Sequence, residues 1–295
     1  MISSLTRLAL VLVLTVASAA CDVSITKIVN FGDSTSDTGN GAIKLTKGTI
    51  PSNVYFGGRF SNGPTYIEVA SKLLNASLSS YAYGGATTDN SKIEGVLGRS
   101  PSWNGPLYTV PDVLQQVDLY LSEGDEDMDP SNILYTMWIG NNDASNNAAY
   151  KLNKTGTDIA ASLYDVWNTL ADNGAQNIVA FVPPFGTQFT TDFSIALQKN
   201  QRQLTQDRPD VNLGLFQLAP IYAAVLAAPQ AFGFQHAEPC CSIPNGSCVY
   251  QGKPNATVCA KPDTYPVWDA ASHPTAAMHR ILGASFATFV QEWFA

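Results

Sequence analysis

Short apolar runs alternate with amphipathic stretches along most of the chain, the pattern of a parallel sheet flanked by helices. Strands are predicted at 24–31, 78–84, 133–139, 177–183 and 212–218. The third of these, Ile133-Leu134-Tyr135-Thr136-Met137-Trp138-Ile139, is almost continuously apolar, so it is expected at the centre of the sheet, covered on both faces. Ile159, Leu163, Val166 and Leu170 recur at helical spacing, with Asp158 near the start and Gly174 where a helix would end, and this predicts a crossover helix. Met278, Ile281, Leu282, Phe286, Phe289 and Trp293 mark one face of a C-terminal helix behind Pro274, and ordinary core packing accounts for them. The expected class is therefore α/β, a three-layer α/β/α sandwich in one domain spanning 21–295, because no repeat, tether or composition break divides the chain.

The first twenty residues change the picture. An apolar run from Leu8 to Val16 follows Arg7 and ends at Ala17-Ser18-Ala19-Ala20, which reads as a secretory signal and is too short for the roughly 20 residues of a membrane span. A secreted, extracellular protein with no membrane insertion is expected. Cys240, Cys241, Cys248 and Cys259 crowd into one segment, and oxidised bridges are the default in that compartment. Adjacent cysteines bridge poorly, so Cys240 and Cys241 each pair with Cys248 or Cys259, in either arrangement. Cys21 is left over, and lipidation is disfavoured because Ser18 stands where a lipobox wants Leu or Val. Sequons at Asn75, Asn153, Asn245 and Asn255 are candidate glycan sites.

Composition narrows the function. Hydrophobic residues make up 45% and charged residues 14% of the 295, which excludes disorder, and a net charge of −8 argues against nucleic acid. Asp125, Asp127 and Asp129 alternate like a calcium loop, but Pro130 and Thr136 stand where an EF-hand needs Gly and Glu, so a solvated surface loop is expected.

Candidate chemistry lies in the turns after three strands, where α/β sheets hold their ligands. Phe31-Gly32-Asp33-Ser34-Thr35-Ser36-Asp37-Thr38-Gly39-Asn40 follows the first, and Ser34 is a candidate nucleophile or a helix N-cap. After the second comes Gly84-Gly85, where glycine lets a backbone N–H approach a ligand. Gly140-Asn141-Asn142-Asp143 follows the third, and Asn142 is either an oxyanion donor or a turn residue bonded to its own backbone. Only three histidines exist. His279 falls within the C-terminal helix and His236 beside the cysteines, so His273 is the candidate base. Placed at a helix N-cap, it is expected to be held neutral by the helix dipole, with Asp269 on its other nitrogen. The set supports attack of Ser34 on an ester carbonyl, with the oxyanion met by Ser34, Gly85 and Asn142 and with no metal or organic cofactor.

These residues resemble the GDSL esterase and lipase family of SGNH hydrolases, in which Ser34, Gly85, Asn142 and His273 match four ordered motifs and Asp269 the triad acid. Gly58-Arg59-Phe60-Ser61-Asn62-Gly63-Pro64 also resembles a stretch frequent in secreted plant, fungal and bacterial members. The resemblance implies a flavodoxin-like fold and esterase activity on acyl lipids, acetylated sugars or small acyl esters. In two places the chain departs from the family. Asp269 lies four residues before His273 where the family has three, leaving Asp263 as a fallback, and Thr35 stands in place of the Leu of the family's name. A monomer acting on short-chain or acetyl esters of carbohydrates is expected. The alternatives are a lipid acyl-hydrolase and a catalytically silent carbohydrate-binding protein. An α/β-hydrolase lacks its Gly-x-Ser-x-Gly elbow here, and a zinc hydrolase its His-Glu-x-x-His.

Overall fold

A computed structural model describes residues 25–100, 103–124, 129–184 and 186–294. The expected signal segment, Cys21, Asp125 and Asp127 lie outside these residues. Among the described residues nine strands occur in chain order: β1 (Lys27–Gly32), β2 (Ser77–Ser80), β3 (Val96–Leu97), β4 (Tyr108–Thr109), β5 (Ile133–Trp138), β6 (Asn177–Val182), β7 (Asn212–Gln217), β8 (Cys241–Ser242) and β9 (Thr257–Val258). The helices are α1 (Ala42–Leu45), α2 (Tyr66–Leu73), α3 (Val113–Glu123), α4 (Asn141–Tyr150), α5 (Gly156–Asp172), α6 (Gln188–Asp207), α7 (Ala219–Ala227) and α8 (Ala276–Trp293).

The main sheet is parallel throughout, in the order β2-β1-β5-β6-β7. Counting only its own members, this is the 2-1-3-4-5 order of flavodoxin-like folds, with the switch point between β1 and β5. As the apolar run requires, β5 is central and every residue in it is buried. Its pleat divides the core. Ile133, Tyr135 and Met137 join Ile159, Leu163 and Val166 of α5 and Phe193 and Leu197 of α6 on one face. Leu134 and Trp138 join Tyr66 and Ile67 of α2 and Met278, Leu282 and Phe286 of α8 on the other. Phe181 of β6 centres that second layer, with its ring 5.3 Å from Trp138 and 4.8 Å from Phe286. The three-layer α/β/α architecture is thus present.

Several local expectations need correction. The second strand ends at Ser80 and does not run to residue 84, because beyond it only Tyr81 and Tyr83 still donate to β1, at the carbonyls of Asn30 and Gly32. The N-cap of α8 is Thr275 and not His273: the Thr275 hydroxyl accepts the Met278 N–H at 3.2 Å, while Pro274 is held outside the helix in a bridge to Val267. Trp293, predicted on the packed face, is 46% exposed; at that end of α8 Val290 and Phe294 are the buried residues, and the Trp293 ring lies beside Phe289 at 5.5 Å. Asp129 is exposed, as a solvated surface loop requires, and caps a short turn over 130–132 by accepting the Ser131 N–H. Cys240 pairs with Cys259 and Cys241 with Cys248, which settles the open connectivity. Among the described residues no helix is long and apolar enough to cross a membrane.

Candidate active site

The serine turn grows directly out of β1. At its base the Asp33 carbonyl accepts the N–H groups of Ser36 and Asp37, both at 3.0 Å, and the Asp33 carboxylate accepts the Thr35 N–H at 2.9 Å. These bonds fix a tight loop with Ser34 at its apex, and no helix starts there for Ser34 to cap. Asp37 then ties this loop to the next one. Its two oxygens take the N–H groups of Gly39, Gly41, Ala42 and Gly84, so the serine turn and the Gly84-Gly85 turn share one anchor. Gly85 itself has φ +85°, a backbone conformation that disfavours a side chain.

Asn142 comes from the first turn of α4, where a plain turn was expected. Gly140 is left-handed at φ +110°, and a Cβ there would meet the Phe193 ring at 2.9 Å, so glycine alone lets the chain pass from β5 into the helix. The Asn142 amide donates to the Ala86 carbonyl at 2.8 Å, and so not to its own backbone. Next to it, buried Asp143 accepts the Thr88 N–H and hydroxyl, fastening α4 to the segment after Gly85. Burial lifts the Asp143 carboxyl to about 7, the Thr88 bonds offsetting only part of the effect.

The loop before α8 supplies the rest. His273 Nε2 lies 2.8 Å from Ser34 Oγ, and Nδ1 lies 2.7 Å from Asp269 Oδ2. The four-residue spacing of Asp269 is therefore no obstacle. Ser272 takes a left-handed φ of 67°, and Trp268 N–H donates to the His273 carbonyl at 2.7 Å, which closes the longer turn with acid and ring facing each other. Asp263, the fallback, is exposed and paired with Arg280 at 3.2 Å. His236 is a surface residue stacked on Tyr265, and buried His279 accepts the Tyr66 N–H at Nδ1 with its proton affinity pushed down to about 3.

Electrostatics corrects one more expectation. Burial lowers the His273 pKa, but the Asp269 carboxylate and, more weakly, Asp33 outweigh it and raise the ring above the ordinary imidazole value. No helix terminus holds it neutral, since α8 is capped two residues later. Asp269 is buried too, which disfavours its charge, yet His273 and the Tyr55 hydroxyl bring its pKa below the usual value. Asp33, under the serine turn, rises to about 6 through burial.

Ser34, Gly85, Asn142 and His273 line one cavity of about 780 Å³. Neither the Ser34 nor the Gly85 N–H has an acceptor among the described residues, so both are available to a ligand oxygen. The arrangement combines a hydroxyl, a base that can take its proton, an acid behind the base, and donors beside the hydroxyl. Sequence reasoning missed the parts that hold it. Tyr55 donates its hydroxyl to Asp269 Oδ2, and the Phe60 ring sits 5.2 Å from His273. Ser61 Oγ donates to the Pro274 carbonyl, and Asn62 Oδ1 accepts the Ala276 N–H. The Gly58–Pro64 stretch is thus a brace for the histidine loop; in the sequence its only signal was the family resemblance.

The family model for GDSL-like lipases and acylhydrolases matches residues 28–286. This chain belongs to that family. The match runs from β1 into α8, so it spans every residue of the candidate site described above. Among similar proteins, a thermolabile hemolysin of Vibrio parahaemolyticus is 28% identical over 279 residues, covering 87% of this chain and 62% of the hemolysin. A phosphatidylcholine-sterol acyltransferase of Aeromonas hydrophila is 29% identical over 267 residues, covering 85% of this chain and 74% of the acyltransferase. Among solved structures, a family two carbohydrate esterase from Clostridium thermocellum aligns with a TM-score of 0.48 at 13% identity, over 90% of this chain and 63% of that one.

Proposed function

We propose that this protein is a secreted, monomeric carboxylic ester hydrolase acting on acetyl or other short-chain esters of carbohydrates. In this reading residues 1–20 are removed and 21–295 form one catalytic domain. The observation that carries it is the continuous run Ser34 Oγ, His273, Asp269, at 2.8 Å and 2.7 Å, opening into the cavity beside Gly85 and Asn142.

Each residue has a defined task. Ser34 Oγ attacks the ester carbonyl as its proton passes to His273 Nε2. Asp269 holds Nδ1 and stabilises the imidazolium that forms. The carbonyl electrons move onto oxygen, where the Ser34 and Gly85 N–H groups and the Asn142 amide receive them. Losing one such donor costs roughly 100-fold to 1,000-fold in rate. When the electrons return, the C–O bond to the alcohol breaks, and His273 gives its proton to the departing oxygen. Water then attacks the Ser34 ester with His273 as base, releasing the acid and restoring the serine.

Neutral esters suit the cavity. Asp33, Arg99 and His273 are the acidic and basic residues among those lining it, and Arg99 is paired with Glu94 at 2.6 Å. Similarity to the phosphatidylcholine-sterol acyltransferase favours a second reading, a lipid acyl-hydrolase with the same catalytic residues. Hydrolysis of p-nitrophenyl acetate by purified protein tests the chemistry. Ser34→Ala and His273→Ala are each expected to abolish it while the circular dichroism spectrum is retained, and full activity in Ser34→Ala would refute the reading. A ladder of acyl lengths then separates the two substrates, the carbohydrate reading requiring a maximum at acetyl or another short chain.

A further inference from the structure

We propose that one face of α4 is a rail for a neutral, hydroxyl-rich saccharide, with Asn146 and Tyr150 as its contact residues. The proposal rests on the hydrolase reading and specifies where the alcohol part of the ester lies. Asn142, Asn146 and Tyr150 stand at successive four-residue steps, which places them in a row on one helix face. All three line the cavity. At about 1.5 Å rise per residue, Tyr150 lies about 12 Å along the axis from Asn142. A row that starts at a donor for the oxyanion and continues this far has room for a ligand much longer than an acetyl group.

Two features show that the row is held in place and not merely solvated. Asn146 donates its amide to the Glu94 carbonyl at 3.1 Å, which fixes its orientation and leaves its own oxygen without a donor among the described residues. Arg99 lies over the Tyr150 ring at 4.9 Å and is itself tied to the Glu94 carboxylate. One loop residue, Glu94, thus positions both side chains, and its carboxylate offsets the guanidinium charge. The wall presents a fixed acceptor and a fixed aromatic ring with little net charge.

That chemistry selects a ligand class. A fatty chain gains about 0.8 kcal/mol for each methylene it buries against apolar surface, and loses by burying carboxamides without partners. Along this face such a chain would cover Asn146 and its neighbours Asn141 and Ser145. Saccharide hydroxyls bond to those groups, and the C–H face of a pyranose packs on an aromatic ring. An anionic ligand meets no unpaired cation on this face.

The test compares kcat/KM for acetylated xylo-oligosaccharides with kcat/KM for p-nitrophenyl acetate in the full protein, using p-nitrophenyl octanoate as a third substrate. Tyr150→Ala and Asn146→Ala are expected to lower the oligosaccharide-to-acetate ratio by about tenfold or more, the loss of one good contact. Tyr150→Phe, which keeps the ring, is expected to preserve the ratio. An unchanged ratio in Tyr150→Ala overturns the proposal, as does a selective loss on the octanoate. Wild type that cleaves p-nitrophenyl acetate but not the oligosaccharides overturns the rail alone. Wild type inert on both overturns the hydrolase reading beneath it.

Discussion

At Asp269 two donors converge on one carboxylate oxygen, the ring nitrogen of His273 and the hydroxyl of Tyr55. The charge on that oxygen sets how strongly His273 holds a proton, so its neighbours tune the base. Because the ring's pKa is raised, the neutral form accumulates only above the ordinary imidazole value, and kcat/KM is expected to fall on the acid side through a pKa above about 6.5. Asp269→Asn removes the charge, so this limb moves to lower pH while kcat falls, the direction in which loss of a triad acid cost about 10⁴-fold in a serine protease. Tyr55→Phe has the opposite sign. Without its hydroxyl the carboxylate charge is less dispersed, attracts the imidazolium more strongly, and moves the limb to higher pH. A pH–rate profile of the two variants checks both signs, and limbs that move together would contradict this account of Tyr55. The meeting of Ser34 and His273 was legible in the sequence because histidines are scarce and the family motifs occur in order, whereas the serine turn alone read equally well as a helix N-cap. Tyr55 was not, since nothing in a sequence separates a tyrosine that packs from one that also donates to a buried acid 214 positions away.

Elements position these residues through the backbone. The β8–β9 ladder and its two disulfides stand directly behind the acid: Cys240 and Cys241 donate their N–H groups to the carbonyls of Val267 and Trp268, the two residues before Asp269. Removing the Cys241–Cys248 bridge as a double serine variant frees a loop of separation 7, and chain entropy puts the loss near 2–3 kcal/mol. We expect a lower denaturation midpoint together with reduced kcat. A lower midpoint with unchanged kcat would mean the ladder stabilises without positioning Asp269. The central strands were readable in advance, because a strand covered on both faces leaves a continuous apolar run, as Ile133–Trp138 does. Edges and caps were less so. β2 is an edge strand whose continuation follows β1 without pairing regularly, and Pro274 resembles a helix start although Thr275 holds the capping oxygen. Disulfide partners were hidden because Cys240 and Cys241 are equivalent in sequence and differ only in which way the ladder turns them.

Over the whole molecule, the 2-1-3-4-5 sheet brings the ends of β1, β2 and β5 together, and the returning loop before α8 adds the base. That convergence was inferred from the turns that follow three predicted strands, whereas the α4 wall of the cavity was not, since it depends on which helix face the sheet turns inward. The account stands on Ser34 being the atom that carries the acyl group. The most direct measurement is peptide mapping by mass spectrometry after reaction with a fluorophosphonate probe. The account predicts a single adduct on the peptide containing Ser34, absent from Ser34→Ala and strongly slowed in His273→Ala. Labelling of a different serine, or no labelling of a protein that binds glycans, would contradict it.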